Sequence, residues 1–196
     1  MHAPRRQLVM DERAVERALA RMARELVERN DGVAGLSLIG IHRRGIDLAE
    51  RIADEIERAE GVRPPVGTLD ITLYRDDLMA IGPRPVVGET RLPSGGVDGR
   101  AVVIVDDVAY TGRTARAAMD ELADFGRPAR IYLCVLIDRG GRELPIQPDV
   151  VGRVVDAAPG ERVDVLVPEV DGRLAVELVP AEPPGAEPEP GTAEVP

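Results

Sequence analysis

The chain has 196 residues and a formal net charge of -10, and all 25 of its basic residues are arginines, so its length suits one domain with a single core. The lack of lysine excludes a Walker A or Schiff-base lysine, and two histidines are too few for a histidine-rich metal site. No apolar run suits a transmembrane helix or a signal peptide, and the lone Cys134 excludes an internal disulfide, so we expect a cytoplasmic protein.

The first half of the chain alternates predicted helices and strands. Residues 11–30 predict an amphipathic helix, because Asp11 can cap it and apolar residues recur at helical spacing. A buried strand is predicted at 35–42, followed by an Arg-Arg-Gly turn and a helix that ends at a glycine. The next strand is predicted at 66–74. Residues 79–100, rich in Pro and Gly, predict a long loop that is a lid, a binding loop or disordered.

The second half of the chain continues the alternation of predicted strands and helices, and then contains only short apolar runs. A strand is predicted at 101–105, a helix at 114–126 and another buried strand at 129–137. Residues 150–179 contain short apolar runs without an intervening helical pattern, so we expect added strands there, antiparallel and at the edge of the sheet.

These elements predict an α/β fold in which a mostly parallel, twisted sheet is flanked by helices on both faces. We expect one domain over residues 1–179. The remaining residues, 180–196, are rich in Pro and Glu without apolar periodicity, and predict a disordered tail.

Two adjacent aspartates, Asp106 and Asp107, follow the apolar run of the strand at 101–105. Ligands of open α/β sheets bind beyond the carboxyl ends of the strands, and vicinal ribose hydroxyls suit two neighbouring carboxylates. The small residues and two threonines of the loop 109–114, which leads into a helix, suit a phosphate held by backbone N–H groups. The sequence therefore predicts a site for a ribose 5-phosphate, with a plain strand–turn–helix connection as the alternative.

Two further connections carry charged groups. The turn 40–45 has a glycine at each end and contains two arginines, which suits a pyrophosphate, although a solvated turn is the simpler alternative. After the strand at 66–74 come Arg75, Asp76 and Asp77, where the carboxylates can hold Mg²⁺ through water and the arginine can meet phosphate. A charged surface turn is the alternative here.

Three segments of the chain resemble a known family. Residues 102–114, VVIVDDVAYTGRT, resemble the signature with which type I phosphoribosyltransferases bind phosphoribosyl pyrophosphate (PRPP). Residues 69–78, LDITLYRDDL, and 138–146, DRGGRELPI, resemble the PyrR family, which regulates pyrimidine operons and is also a uracil phosphoribosyltransferase. The resemblance runs from about residue 7 to 179 and implies the type I phosphoribosyltransferase fold with a small added β region, the hood.

The resemblance also implies an activity and its partners. A member of this family transfers the phosphoribosyl group of PRPP to uracil with Mg²⁺, giving UMP and pyrophosphate. It also binds the leader of pyrimidine messenger RNA in response to UMP or UTP, and it is a homo-oligomer, a dimer or larger.

Position by position, the resemblance assigns roles to residues of this chain. Catalytic roles fall to Asp106, Asp107 and Arg75, a Mg²⁺ site to Asp76 and Asp77, and the neighbourhood of the base to Asp138 and Arg139. PRPP and nucleotide contacts are expected from Val102, Val103, Ile104, Val105, Asp106, Asp107, Val108, Ala109, Tyr110, Thr111, Gly112, Arg113 and Thr114, and from Arg43, Arg44 and Gly45. RNA contacts are expected from Arg17, Arg21, Arg24 and Arg153.

Departures from the family pattern leave two other functions open. Gly141 stands where the family usually has a histidine, and residues 151–158 differ from the usual segment near the base and RNA sites. One alternative is an RNA-binding, nucleotide-sensing attenuator with weak or lost transferase activity. The other is a phosphoribosyltransferase for a different base, such as a purine. The arginines of the first helix are interspersed with glutamates, so an ordinary solvated helix face is the alternative to RNA contact.

Overall fold

The computed structural model describes residues 6–74 and 88–181. Within these ranges no helix is both long and apolar enough to cross a membrane. The strands are β1 (Gln7–Met10), β2 (Leu36–Ile41), β3 (Val66–Leu69), β4 (Ala101–Ala109), β5 (Arg130–Asp138), β6 (Val150–Val154), β7 (Arg162–Leu166) and β8 (Ala175–Val179). The helices are α1 (Glu12–Arg29), α2 (Arg44–Glu60), α3 (Arg113–Phe125) and α4 (Pro168–Asp171), with a short 3-10 helix at Ile71–Tyr74.

The main sheet has five parallel strands in the order β3-β2-β4-β5-β6. Alternate residues of its strands point to opposite faces, so the strands supply two separate cores. Val103 and Val105 of β4 pack with residues of α1 and α2 on one face, whereas Val102 and Ile104 pack with α3 on the other. The predicted parallel sheet with helices on both faces is therefore confirmed.

The first helix forms as its periodicity predicts. Asp11 accepts a hydrogen bond from the backbone N–H of Ala14 at 2.8 Å, which satisfies one of the free donors at the start of α1. The apolar stripe of the helix is buried, with Val15, Met22 and Leu26 fully inaccessible to solvent.

Two predicted strands have different ends in the structure. The strand predicted at 66–74 stops at Leu69, because the carboxylate of Asp70 accepts a hydrogen bond from the N–H of Thr72 at 2.9 Å and turns the chain into the 3-10 helix. The strand predicted at 101–105 continues to Ala109, because β4 keeps pairing with β5 through Asp106 and beyond. The aspartate pair thus lies within the C-terminal half of β4.

The prediction of antiparallel strands over residues 150–179 is wrong for the first of them. β6 joins the main sheet in parallel beside β5, and α4 lies between the last two strands. Of the strands described within 150–179, β7 and β8 pair antiparallel, and they form a second sheet with β1, which is also antiparallel to β8, in the order β1-β8-β7. This second sheet and α4 are called the hood below.

Candidate functional site

Three connections leave the same edge of the main sheet, after β2, β4 and β5. They are the turn 42–45, the loop 110–112 and the loop 139–149. The backbone N–H of Arg139 donates to the carbonyl of Ala109 at 3.1 Å, so the last two of these connections start side by side. Of the three strand ends that the sequence predicted to carry converging polar groups, those of β2 and β4 lie side by side in the sheet, whereas residues 75–77 after the third lie outside the described residues.

The aspartate pair of β4 lies at the centre of this edge. Asp106 and Asp107 are half-buried, and each accepts a hydrogen bond from the backbone N–H of the following residue, at 2.9 and 2.8 Å. Burial raises the pKa of Asp106 well above its ordinary value, and the neighbouring charge of Asp107 adds to that shift. Burial also raises the pKa of Asp107, although hydrogen bonds and the positive charge of Arg44 oppose it. A ligand that brings hydroxyl donors or a cation would relieve this cost of desolvation.

The loop 110–112 is fixed from behind by the loop that follows β5. The carbonyl of Thr111 accepts hydrogen bonds from the N–H groups of Glu143 and Leu144, both at 3.0 Å. Helix α3 then begins at Arg113, and its N-cap residue, Gly112, provides no side-chain acceptor. The backbone N–H of Arg113 donates to the hydroxyl of Thr111 at 3.3 Å, and Gly112 adds no side-chain acceptor at this end of the helix, which favours anions.

A cavity of about 110 Å³ lies in front of α3, between the two loops. Its polar lining comes from Asp106, Thr111, Thr114 and Arg142. Residues Val102 to Val105, which were also expected to contact the ligand, have side chains within the two cores and form the strand that supports the cavity.

Arg142 is a site residue to which the sequence analysis gave no role. Its side chain is 12% exposed, and one guanidinium nitrogen lies 2.8 Å from a carboxylate oxygen of Asp138. The same guanidinium donates to the carbonyls of Tyr110 at 2.7 Å and Ile146 at 3.0 Å. It thereby fastens the two loops to each other. The sequence signal available for this role was the position of Arg142 within residues 138–146, which resemble the PyrR family.

The two residues expected near a base, Asp138 and Arg139, are partly engaged by the protein. Asp138 accepts a hydrogen bond from the N–H of Gly140 at 2.9 Å in addition to its ion pair with Arg142. The guanidinium of Arg139 lies 4.2 Å from the centre of the Tyr110 ring, in a cation–π contact. A side chain at Gly141 would place Cβ only 2.5 Å from the same ring, so Tyr110 fills the space beside residue 141.

The turn 42–45 lies against the end of β4. Gly45 is buried, and a Cβ at this position would lie 2.5 Å from the carbonyl oxygen of Val105, so only glycine lets α2 begin this close to the aspartates. The side chain of Arg43 is exposed and forms no hydrogen bond or ion pair with another described residue. Arg44 instead donates two hydrogen bonds to Asp171 of α4, at 2.9 and 3.1 Å.

The four arginines expected to contact RNA differ in their surroundings. Arg21 donates to the carbonyls of Val151 and Gly152 at 2.9 and 2.6 Å, and Arg153 donates to the carbonyl of Val9 at 3.0 Å. The side chains of Arg17 and Arg24 are exposed and form no hydrogen bond or ion pair within the part of the chain that the structure describes. Only these two remain fully available to a partner.

The residues expected to hold Mg²⁺, Asp76 and Asp77, lie outside the described residues, as does Arg75. Residues 182–196 of the predicted tail also lie outside them. Among residues 6–74 and 88–181, no group of three or more His, Cys, Asp or Glu side chains could hold a metal ion alone. The oxygen donors of Asp106 and Asp107 nevertheless suit Mg²⁺, which usually takes one or two carboxylates and completes its shell with water and substrate phosphates.

Comparisons with known proteins point to one family. The phosphoribosyl transferase domain family matches residues 9–161. The bifunctional protein PyrR of Thermus aquaticus is 59% identical over 170 residues, covering 87% of this chain and 93% of the relative. That of Roseiflexus sp. is 57% identical over 164 residues, covering 84% and 89%. A solved hypoxanthine phosphoribosyltransferase of Trypanosoma cruzi is similar in fold, with a TM-score of 0.66 at 16% identity over 90% of this chain and 97% of that one.

Proposed function

This chain belongs to the phosphoribosyltransferase family and, within it, to the PyrR proteins, and from that premise we propose that it transfers the phosphoribosyl group of PRPP to uracil. The products are UMP and pyrophosphate. The observation that carries the proposal is the placement of Asp106 and Asp107 between the start of α3, whose N-cap glycine has no side-chain acceptor, and the turn that begins α2. A ribose with one phosphate on C5 and a pyrophosphate on C1 needs acceptors between two anion sites.

The aspartates have two roles in the proposed reaction. Their carboxylates accept hydrogen bonds from the two ribose hydroxyls, which fixes the sugar beneath the base. As the bond from C1 to pyrophosphate breaks and the bond from C1 to N1 of uracil forms, positive charge develops on the ribose ring. Carboxylates held in a half-buried position stabilise that charge more strongly than water does. As the new bond is completed, the proton of N1 passes to water.

The two anion sites hold the ends of PRPP. The N–H groups at the start of α3, with the hydroxyls of Thr111 and Thr114, bind the 5-phosphate. The exposed guanidinium of Arg43 and the backbone of its turn bind the pyrophosphate. Asp106 and Asp107 would contribute to holding Mg²⁺, which neutralises the charge of the departing pyrophosphate when it is bound.

A direct assay tests this proposal. Labelled uracil is incubated with the protein, PRPP and Mg²⁺, and labelled UMP is separated and counted. We expect UMP to form in proportion to enzyme concentration and to require both PRPP and Mg²⁺. Absence of UMP at millimolar PRPP would remove transferase activity from the proposal and leave the nucleotide-sensing regulator.

The second activity of the PyrR proteins, regulation of pyrimidine operons, is proposed through binding of the messenger leader. Arg13, Arg17 and Arg24 support it, because they recur along one face of α1, are exposed, and have side chains without a hydrogen-bond or ion-pair partner among the described residues. Such a row can follow RNA phosphates, and each phosphate neutralised on a single strand contributes about -0.7 to the slope of log affinity against log salt.

A gel shift with the chain's own pyrimidine leader, with and without UMP, tests the regulatory proposal. We expect binding that UMP or UTP strengthens and that salt weakens steeply. Affinity that does not change with salt would contradict a role for this arginine row. A cytoplasmic homo-oligomer is part of the same proposal and is supported by the family resemblance.

A further inference from the structure

The hood reaches the candidate site through one carboxylate, that of Asp171 at the end of α4. Both of its oxygens accept hydrogen bonds from Arg44, at 2.9 and 3.1 Å, and one also accepts from the backbone N–H of Val167 at 2.9 Å. The Asp171 side chain is 17% exposed. Burial alone would raise its pKa, but the hydrogen bonds from Arg44 and Val167 outweigh burial and lower the pKa. The carboxylate is therefore charged and held in one orientation.

The partner of Asp171 is the first residue of α2, within the turn assigned to the pyrophosphate. Hydrogen bonds to Asp171 and the charges of Asp171 and Asp107 raise the pKa of Arg44, against the effect of burial. Two parallel hydrogen bonds between a planar guanidinium and a carboxylate fix both direction and distance. The first residue of α2 is thus held between the hood on one side and the aspartate pair on the other.

A second contact between α4 and α2 supports the same geometry. Asp47 and Arg51, one and two turns along α2, form an ion pair at 2.7 Å. Arg51 also lies 3.8 Å from Glu169 of α4. Two ion pairs, Arg44–Asp171 and Arg51–Glu169, therefore join α2 to α4, and the first of them lies at the turn 42–45.

We propose that Asp171 is a positioning residue for the pyrophosphate half of the site, which it holds in place through Arg44. This inference rests on the proposed function, because it assigns the turn 42–45 to pyrophosphate. Among the described residues, Asp171 forms no hydrogen bond or ion pair with the aspartate pair or with the loop 110–112. Its loss should therefore weaken the binding of PRPP, which carries the pyrophosphate, and leave the binding of UMP, which carries none, unchanged.

The test compares direct binding of PRPP with Mg²⁺ and of UMP by calorimetry, in the wild-type protein and in Asp171→Asn. We expect PRPP to bind about tenfold more weakly to the variant, the scale of one lost charge-assisted hydrogen bond, with UMP affinity within about twofold of wild type. Asp171→Glu, which keeps the charge, should recover part of the PRPP affinity and provides the comparison if the Asn variant does not fold.

A matched control and a double variant separate positioning from folding. Glu177 is a hood carboxylate, 9% exposed, that pairs with Arg173 at 2.7 Å and with Arg6 at 3.4 Å and forms no hydrogen bond or ion pair with α2 among the described residues, so Glu177→Gln should leave PRPP affinity unchanged. In the double variant with Arg44→Gln, Asp171→Asn should add no further loss of PRPP affinity. Unchanged PRPP affinity in Asp171→Asn, equal losses for PRPP and UMP, or additive losses in the double variant would each overturn the inference. Because these measurements involve no uracil, they give their answer whether or not wild-type protein makes UMP.

Discussion

Replacement of Gly45 by alanine perturbs the contact between α2 and the end of β4 without removing any functional group. In the present structure the added Cβ would lie 2.5 Å from the carbonyl oxygen of Val105. A close carbon-to-oxygen contact is about 3.3 Å, so the start of α2 must move away by about 0.8 Å. That movement takes the turn 42–45 away from Asp106 and Asp107.

The size of the effect follows from that displacement. A shift of about 1 Å in groups that position a substrate can lower the rate about a hundredfold, so we expect kcat/KM for PRPP to fall by one to two orders of magnitude, roughly tenfold to a hundredfold. The loss of stability should be smaller. Overpacking costs about 1–3 kcal/mol, but alanine in a helix offsets up to about 1 kcal/mol of that relative to glycine.

Steady-state kinetics at varied PRPP, with thermal melting of the same samples, measures both effects. Gly152→Ala is the matched control, because its Cβ would meet the carbonyl of Leu136 at least as closely, in the same sheet but on β6. We expect this control to lose stability while KM for PRPP stays within about threefold of wild type, as overpacking away from the residues assigned to PRPP should act mainly on folding. Wild-type kinetics in Gly45→Ala, or an equal kinetic loss in the control, would refute the role given to this contact.

Three further predictions concern single charges. Asp107→Asn should lower the turnover of UMP synthesis at least about a hundredfold, because the neutral side chain no longer stabilises the positive charge on the ribose. The melting temperature should not fall, because burial raises the pKa of Asp107 and a neutral side chain avoids the cost of burying its charge. A variant with more than a tenth of wild-type turnover would contradict this prediction. Burial raises the pKa of Asp47 from 3.8 to about 6, so its ionisation in the folded protein costs free energy as pH rises across that window. As pH rises from 4 to 6, Asp47→Asn should therefore become more stable than wild type, by about 1 kcal/mol after allowance for the exposed Glu169, and should keep that advantage at higher pH. Urea denaturation at pH 4 and at pH 6 measures the free energy of unfolding of both proteins. An advantage of the variant at pH 4 that disappears at pH 6 would contradict the prediction. Arg24→Gln should reduce the salt slope of leader binding by about 0.7, whereas Arg21→Gln, which removes bonds to β6, should leave the slope unchanged.

The parts of the molecule that depend on local sequence were predicted well. The cap at Asp11 and the buried stripe of α1 follow from residues within a few positions of one another. The same holds for the apolar strand, the aspartate pair and the loop that leads into α3. Here the strand, turn and helix preferences of neighbouring residues all favour the same arrangement.

The parts that depend on distant partners were not predicted. A short apolar run such as β6 does not encode which strand it will pair with, and its parallel pairing with β5 was missed. Arg44 meets Asp171 across 127 positions of sequence, so its engagement with the hood could not be read from the turn 42–45 alone. Arg142 likewise acquires its role only when the loops after β4 and β5 lie side by side.

The central claim is that this site joins PRPP to uracil and not to another base. The most direct measurement offers the protein an equimolar mixture of uracil, hypoxanthine and guanine with PRPP and Mg²⁺, and identifies the nucleotides formed by mass spectrometry. The account predicts UMP and equimolar pyrophosphate as the products. Formation of IMP or GMP in place of UMP would contradict it.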